Sequence, residues 1–443
     1  MASPSASLRP LIAGLLGEDP PIAIRAYDGT ELGPPDAPAA VVINSKAALI
    51  RILQAPGELG FVRAYVAGDL DIEGDLYAAL VEQDRMADVK LSPTRLAELA
   101  RAVGLDALHR LPPPPEEARI RGRRHSRERD AAAIAHHYDV SNEFYRLFLG
   151  PTMTYSCAVF EHDDDPLDLA QEQKYELICR KLGLEPGMRL LDVGCGWGGM
   201  VMHAARRYGV EAVGITVSQR QVELARQRVV EAGLGGKVEI RFQDYRDVSD
   251  GPFDAVSSIG MFEHVGAARL SEYFTHLSQV LRPGGRLLNH AIARPPYKRR
   301  LRGQRPGLMN RYVFPDGEAL ELGQVISALQ RCGFEARHEE SLREHYARTL
   351  RAWVANLEAN WEAAVAEVGL SRARVWRLYM AGSAVNFERG TVGVHQVLAV
   401  NQPPGRGPSG LGWRPRWDAA PLSERWEGAE LTDARLAGSV PGS

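Results

Sequence analysis

The chain has 443 residues, enough for two domains with tails. Its formal net charge is −3, from 53 basic and 56 acidic residues, so we expect no nucleic-acid partner. The four cysteines have no paired metal-ligand spacing, so we expect no metal site. No apolar run approaches the roughly 20 residues that cross a bilayer, and the start of the chain lacks a secretory signal. These features predict a cytoplasmic protein.

Four regions follow one another along the chain. Residues 1–111 hold short apolar runs with turn signals at Asp28-Gly29 and from Asp71 to Gly74, which predict a small α+β module. Four successive prolines and the arginines after them predict an extended and then basic linker at 112–130. Residues 131–400 form the main domain. The Pro- and Gly-rich residues 401–443 are expected to be disordered or loosely docked.

The main domain alternates helical segments with apolar strands. Strands are predicted at 189–193, 211–215, 238–242, 255–259 and 286–291, with last strands at 392–400. Further helices are predicted at 323–331 and 349–368. Strands that alternate with helices indicate a parallel sheet covered on both faces, so the predicted fold class is α/β.

The most informative segment runs from Leu190 to Gly199, where an apolar strand enters a glycine-rich turn. Such a turn lets bare backbone approach a nucleotide-like ligand. A dinucleotide site would need an acidic residue about 20 positions on, but the next strand ends in Thr216. The spacing of Asp192, Gly194 and Gly196 resembles instead the first motif of Rossmann-like S-adenosylmethionine (SAM) methyltransferases. The alternative is a turn that serves only tight packing.

Polar residues follow the next two strands. Thr216 and Gln221 are candidates to contact a cofactor ribose, whereas Ser218 between them could act only as a helix N-cap. Asp244 can accept from an adenine amino group, and Tyr245 can offer an aromatic face to the adenine ring. Each strand end therefore contributes one part of a SAM site.

Several further motifs closely resemble the cyclopropane-fatty-acyl-phospholipid synthase family, which includes the mycolic acid cyclopropane synthases. The resemblance covers roughly residues 60–400 and rests on motifs in the family's order. These motifs lie at 137–145 (HYDVSNEFY), 154–158 (TYSCA), 262–266 (FEHVG), His290 and 344–350 (EHYARTL). The segment 63–71 (RAYVAGDLD) also resembles the amino-terminal module of the phospholipid-acting members.

The resemblance implies site residues by position. Tyr155 and Ser156 would close over SAM. A bicarbonate ion beside the transferred methyl group would be surrounded by Cys157, Glu263, His290 and Tyr346. Taken singly, Cys157 could be a small buried hydrophobe and His290 a satisfied core histidine. The family commonly has Trp where Tyr245 stands, which makes that contact the weakest of the set.

The implied reaction is transfer of a methyl-derived carbon to the double bond of an unsaturated acyl chain in a phospholipid. An alkene is a weak nucleophile, so the methyl group must be held against it, and the resulting cation must then lose a proton. Loss from the incoming methyl closes a cyclopropane, whereas a hydride shift followed by proton loss leaves a methylene branch. Ser383 stands where many ring-forming relatives have cysteine, so both products stay open, including the branch that forms 10-methylene fatty acyl chains.

We also expect contact with the membrane surface and with protein partners. The basic run Lys298 to Arg302 follows a strand end and is better placed than Arg121 to Arg129 to meet anionic headgroups. A methylene product would call for a flavin- or NADPH-dependent reductase partner, and a homodimer is compatible with the resemblance. The alternatives are a SAM-dependent methyltransferase of a soluble small molecule and a non-catalytic lipid-binding protein on the same fold.

Overall fold

The computed structural model describes residues 8–82, 93–118, 129, 140–296, 307–315, 317–402, 410–415 and 417. Its first part is the predicted α+β module. The strands are β1 (Ala23–Ala26), β2 (Glu31–Leu32), β3 (Ala39–Ile43) and β4 (Leu70–Gly74), in the spatial order β2-β1-β3-β4. The helices are α1 (Arg9–Leu16), α2 (Lys46–Gln54), α3 (Glu58–Ala67), α4 (Leu76–Val81) and α5 (Pro93–Val103).

One turn prediction in this module is confirmed and the other is wrong. At the Asp28-Gly29 turn, the Gly29 N–H donates to the Ala26 carbonyl at 2.9 Å. Residues 71–74, predicted as a turn, belong to β4, which pairs antiparallel with β3. Leu70 and Ile72 are buried, whereas Asp71 is half-buried and Glu73 is exposed, and this period-two pattern outweighs the turn-forming Asp and Gly.

The main domain is built on a seven-stranded sheet with the order β10-β11-β9-β8-β5-β6-β7. Its strands are β5 (Arg189–Val193), β6 (Glu211–Thr216), β7 (Val238–Phe242), β8 (Phe253–Ile259), β9 (Leu281–Ala293), β10 (Phe334–Ser341) and β11 (Gly393–Asn401). Neighbours among β5 to β9 pair parallel, which gives the predicted Rossmann-like α/β fold.

The sheet differs from the predicted parallel arrangement at one edge. β11 runs antiparallel to both β9 and β10, so the sheet is mixed. β10 was not predicted because its sequence, FEARHEES, contains mostly charged and polar residues. An edge strand pairs on only one side and tolerates such residues, so its sequence carries no apolar run.

Nine further helices among the described residues surround this sheet. They are α6 (Asn142–Leu149), α7 (Leu167–Leu182), α8 (Gly199–Tyr208), α9 (Gln219–Glu231), α10 (Leu270–Val280), α11 (Leu322–Arg331), α12 (Arg343–Ala359), α13 (Trp361–Val368) and α14 (Leu370–Glu388). The helix predicted at 349–368 is two helices separated at Asn360. The Asn360 side chain donates to the carbonyls of Leu147 and Asn356, and such bonds compete with a continuous helix.

The amino-terminal module and the helices α6, α12 and α14 share one hydrophobic core. Glu117 joins the two parts, because its buried carboxylate accepts two 2.9 Å hydrogen bonds from Arg63 and one of 3.0 Å from Arg311. The described beginning of the predicted linker is therefore held by contacts. In the predicted tail, the Arg180 side chain donates to the Trp417 carbonyl at 2.6 Å. Within the described part of the chain, no helix is long and apolar enough to span a bilayer.

Candidate active site

The glycine-rich turn leaves β5 and enters α8 with three backbone conformations that favour glycine. The φ angles are 81° at Gly194, 54° at Gly196 and 83° at Gly198. A Cβ atom at Gly194 would lie 2.8 Å from the Cβ of Met261. At Gly196 a Cβ would meet no heavy atom within 4 Å, and this residue lines a cavity. The turn therefore presents bare backbone to an open space, as a ligand-binding turn requires.

That cavity lies at the carboxyl ends of β5, β6 and β7. It brings together all nine residues that the sequence predicts around SAM, which are Tyr155, Ser156, Asp192, Gly194, Gly196, Thr216, Gln221, Asp244 and Tyr245. The carboxyl ends of parallel strands are where open α/β sheets bind their ligands. The geometry thus agrees with the cofactor position expected from the motifs.

The β6 end is held by side-chain hydrogen bonds. The Thr216 hydroxyl donates to the Gln221 side-chain oxygen at 2.7 Å, and both residues are buried. Ser218 is the N-cap of α9, since its hydroxyl accepts from the Gln221 N–H, as the alternative in the sequence analysis anticipated. Thr216 and Gln221 therefore hold each other in the cavity wall.

Two carboxyl side chains line the cavity and have different hydrogen-bond partners. Asp192 is buried, accepts a 2.7 Å hydrogen bond from the Ser257 hydroxyl, and has its pKa raised by burial to about 6. Asp244 accepts from the Arg246 guanidinium at 2.8 and 2.6 Å. Tyr245 packs its ring edge-on against Tyr273, with centroids 4.9 Å apart. Arg246 therefore holds the Asp244 carboxylate in place at the end of the cavity where adenine is expected.

The segment 153–157, here called the covering segment, contributes Tyr155 and Ser156 to the cavity wall. The Tyr155 ring stacks on Trp353 at 5.2 Å, and its hydroxyl donates to the Tyr379 hydroxyl at 2.9 Å. The Ser156 hydroxyl accepts a 2.8 Å bond from the buried Lys174 ammonium. The covering segment is thus tied to α7, α12 and α14.

Glu263 and His290 are two of the four predicted catalytic residues. One Glu263 oxygen accepts from the Ile292 N–H at 2.8 Å, two residues along β9 from His290. Its other oxygen, Oε2, is buried and has no hydrogen-bond partner in the part of the chain that the structure describes, and burial raises the pKa of this carboxyl to about 7. Nδ1 of His290 lies 3.2 Å from the Gln396 amide nitrogen, whereas Nε2 is buried and none of the described residues forms a hydrogen bond with it. Burial lowers the pKa of His290 to about 3, so the imidazole is neutral.

Cys157 and Tyr346 are the other two predicted catalytic residues. The Cys157 thiol donates to the Ala158 carbonyl at 3.2 Å and lies 3.7 Å from the Leu342 carbonyl, and Leu342 precedes Tyr346 by one helical turn. Burial raises the pKa of this thiol well above its usual range, which disfavours a thiolate nucleophile. The Tyr346 ring packs 4.6 Å from Phe387. Of the described residues that line the cofactor cavity, none belongs to the set Cys157, Glu263, His290 and Tyr346.

Several residues near the site were missed by the sequence analysis. They are Gln171, Lys174, Lys181, Tyr379 and Gln396. Gln171, Lys174 and Lys181 are fully buried polar residues on α7, and Gln171 and Lys174 are spaced by three, so their side chains share one face of the helix. This polar pair among apolar positions was the available signal. The motif residues 137–139, the linker arginines from Arg121 to Arg127 and the basic run Lys298 to Arg302 lie outside the described residues.

Comparison with known proteins places this site in a family. The family model described as mycolic acid cyclopropane synthetase matches residues 125–397. A probable fatty acid methyltransferase of Mycobacterium tuberculosis is 48% identical over 408 residues, covering 90% of this chain and 95% of the relative. A tuberculostearic acid methyltransferase of the same organism, UfaA1, is 34% identical over 87% of this chain and 88% of its own length.

A solved structure of a cyclopropane synthase is also similar to this chain. The mycolic acid cyclopropane synthase CmaA1, complexed with S-adenosylhomocysteine and CTAB, is 35% identical and superposes with a TM-score of 0.58. The match covers 61% of this chain and 98% of that structure. The chain therefore belongs to the mycolic acid cyclopropane synthetase family and is a SAM-dependent methyltransferase.

Proposed function

We propose that this enzyme transfers a methyl-derived carbon from SAM to the double bond of an unsaturated acyl chain held in a phospholipid. The observation that carries the proposal is that two buried polar atoms, Glu263 Oε2 and His290 Nε2, have no hydrogen-bond partner among the described residues. Buried polar groups are normally satisfied, so we interpret these two atoms, which belong to residues that the motifs also single out, as ligand-binding groups. Methylation of an alkene carbon needs such a site, because the cation it forms must lose a proton.

The surroundings of the covering segment suit an apolar substrate. Tyr155 belongs to a continuous cluster of aromatic rings, whose other members are Phe144, Tyr145, Phe148, Trp197, Trp353, Trp376 and Tyr379. Trp197 also lines the cofactor cavity, so this cluster reaches the place where the methyl group is expected. A dry aromatic wall favours an alkene held against the methyl group and excludes water from the cation.

The electron balance of the reaction requires a proton acceptor, and we assign this role to Glu263. SAM, when bound, supplies an electrophilic methyl group. The alkene π pair forms the new carbon–carbon bond, the carbon–sulfur pair returns to sulfur, and the neighbouring alkene carbon becomes cationic. Glu263 Oε2 accepts the proton that this cation loses, and the released C–H pair forms the final carbon–carbon bond. With a pKa of about 7, the carboxylate is a stronger base than an ordinary glutamate.

The same atoms fit a bicarbonate ion. A neutral His290 whose Nδ1 accepts from Gln396 carries its proton on Nε2, and this N–H would donate to an ion oxygen. Glu263 Oε2 would accept from the ion's hydroxyl. Bicarbonate at this position would supply a further proton-accepting oxygen.

Two products follow from the shared cation, and the proposal includes both. Proton loss from the added methyl closes a cyclopropane, whereas a hydride shift and subsequent proton loss gives a methylene branch. Among the similar proteins, one is named a mycolic acid cyclopropane synthase and another a tuberculostearic acid methyltransferase. Ser383 lies on α14 four residues after Tyr379, which contacts the covering segment. A methylene product would pass to a flavin- or NADPH-dependent reductase.

We further propose that the enzyme works at the membrane surface of the cytoplasm. Leu105 and Leu108 are 83% and 82% exposed in a 3₁₀ turn of the amino-terminal module. Side chains three apart on a 3₁₀ helix eclipse each other, so the two leucines project together. Exposed Arg101 and Arg110 flank them, and basic side chains near an apolar pair suit an anionic bilayer.

The test uses SAM with a labelled methyl group and vesicles of defined phospholipids. We expect label in the lipid when the acyl chains are cis-monounsaturated and none when they are saturated. Glu263→Gln is the control for catalysis, since it should bind vesicles and S-adenosylhomocysteine but transfer little label. Label in a soluble acceptor only would favour the small-molecule alternative. Vesicle binding without turnover in the wild type would favour a lipid-binding protein.

A further inference from the structure

Lys174 is a fully buried cation in the middle of the site. Its ammonium donates to the Ser156 hydroxyl at 2.8 Å and to the Gln171 side-chain oxygen at 2.9 Å, and it lies 4.4 Å from the centre of the Tyr175 ring. Among the described residues, no carboxylate forms an ion pair with it. Burial lowers the pKa of Lys174 to about 7.

Such a residue is costly for the folded protein alone. A buried charge without an opposite charge destabilises the folded state, and an apolar side chain of similar shape would fill the same space without that cost. The hydrogen bonds to the uncharged Ser156 and Gln171, and the carboxylates of Asp192 and Glu172 beyond ion-pair distance, offset only part of it. The position of Lys174 is therefore better explained by a negative group that arrives with a ligand.

The polarity of the Lys174–Ser156 bond determines what Ser156 can do. An ammonium has only donors, so the Ser156 oxygen must accept from it, and the hydroxyl proton remains free to donate elsewhere. Ser156 also lines the cofactor cavity, whereas Lys174 lies behind it. The bond to Lys174 polarises the Ser156 hydroxyl and makes it a stronger donor toward an anionic acceptor in the cavity.

The positions of Lys174 and Asp244 at opposite ends of the site indicate which part of SAM carries that acceptor. Lys174 lies on α7, which packs against β8 and β9, so its bond to Ser156 is on that side of the site. Asp244, expected near the adenine, lies at the other end, after β7. The amino-acid end of SAM is therefore the part near Ser156, and its carboxylate is the anionic group available there.

We infer that Lys174 is a positioning residue that orients Ser156 to bind the α-carboxylate of SAM and supplies the charge that balances this carboxylate. Gln171 supports the arrangement, since its amide donates to the Ser156 carbonyl at 2.9 Å while its oxygen accepts from Lys174. This inference concerns the cofactor and does not depend on the acyl substrate.

The experiment compares two ligands by calorimetry in the absence of lipid. S-adenosylhomocysteine carries the carboxylate, whereas 5′-methylthioadenosine has the same nucleoside thioether without the amino-acid end. We expect Lys174→Met to weaken S-adenosylhomocysteine binding by roughly 10-fold to 100-fold and to leave 5′-methylthioadenosine binding unchanged. Lys174→Gln, which keeps a donor but not the charge, should give an intermediate loss.

Controls separate this role from a structural one. Lys181→Met removes the other fully buried lysine of α7, whose ammonium contacts Glu340 and Gln396, and should not change the affinity for either ligand. Ser156→Ala should reproduce the selective loss, and Lys174→Met should add little to it. Thermal unfolding of Lys174→Met should occur at the same or a higher temperature. Equal weakening of both ligands, or of neither, in Lys174→Met and Lys174→Gln would overturn the inference.

Discussion

Glu263→Gln should make the protein less active and, above neutral pH, more stable relative to the wild type. The wild-type carboxyl has a pKa of about 7 in the folded protein, against an ordinary value of 4.5, because it is buried. At 1.36 kcal/mol per pH unit, this difference corresponds to about 3 kcal/mol in favour of the neutral form. The amide oxygen of the variant can still accept from the Ile292 N–H, so the local backbone should be preserved.

The sign of the effect follows from the raised pKa. Below pH 4.5 the carboxyl is neutral in both the folded and unfolded states, and it contributes no pH dependence. As the pH rises toward 7, the unfolded state ionises first, and the wild type loses up to about 3 kcal/mol of stability that the glutamine variant does not lose. The unfolding free energy of the variant minus that of the wild type should therefore increase by about 3 kcal/mol between pH 4.5 and pH 8.

Urea denaturation of both proteins at a series of pH values measures this difference. Subtracting the two curves removes contributions from groups that both proteins share. The exposed Glu223→Gln on α9 serves as the matched control and should show no such increase. Turnover of Glu263→Gln should fall by about 10²-fold to 10⁴-fold, the usual effect of losing a general base. A pH-independent stability difference together with near-wild-type turnover would refute the assignment of Glu263.

Three further changes test other parts of the structure. Gly196→Val should abolish S-adenosylhomocysteine binding, because the valine side chain would enter the cavity and valine disfavours the φ of 54° at this position. Calorimetry on the folded variant measures this, and unchanged affinity would show that the turn does not belong to the site. Charge reversal of Lys298 to Arg302 should weaken co-sedimentation with anionic vesicles by about 1 kcal/mol per residue, as added salt should too; binding that ignores both would point to Arg121 to Arg129. Glu117→Ala should lower the unfolding free energy by about 1.5–3 kcal/mol in urea denaturation, because it leaves Arg63 and Arg311 without their shared acceptor, and a change under about 0.5 kcal/mol would contradict that.

The cofactor site could be predicted because its residues follow strand ends. Gly194, Thr216 and Asp244 each come within a few residues of an apolar strand, so local patterns located them. Parallel strands then bring their carboxyl ends together at one edge of the sheet. The position of these residues in one cavity therefore follows from the fold class alone.

The partners of the predicted residues could not be found in the same way. Gln396 reaches His290 across 106 positions of sequence, and Tyr379 reaches Tyr155 across 224. These contacts depend on how β11 pairs with β9 and how α14 packs beside the covering segment, which no local pattern specifies. The edge strand β10 escaped prediction for a related reason, because its pairing with β11 defines it and its hydropathy does not.

The proposal is tested most directly by the position of the transferred carbon. The enzyme is supplied with ¹³C-methyl SAM and cis-monounsaturated phospholipid, and the extracted lipid is examined by NMR and mass spectrometry. The account predicts label on an acyl carbon, with either upfield cyclopropane proton signals or vinylic methylene signals. Label on oxygen or nitrogen, or in a molecule other than the lipid, would contradict it.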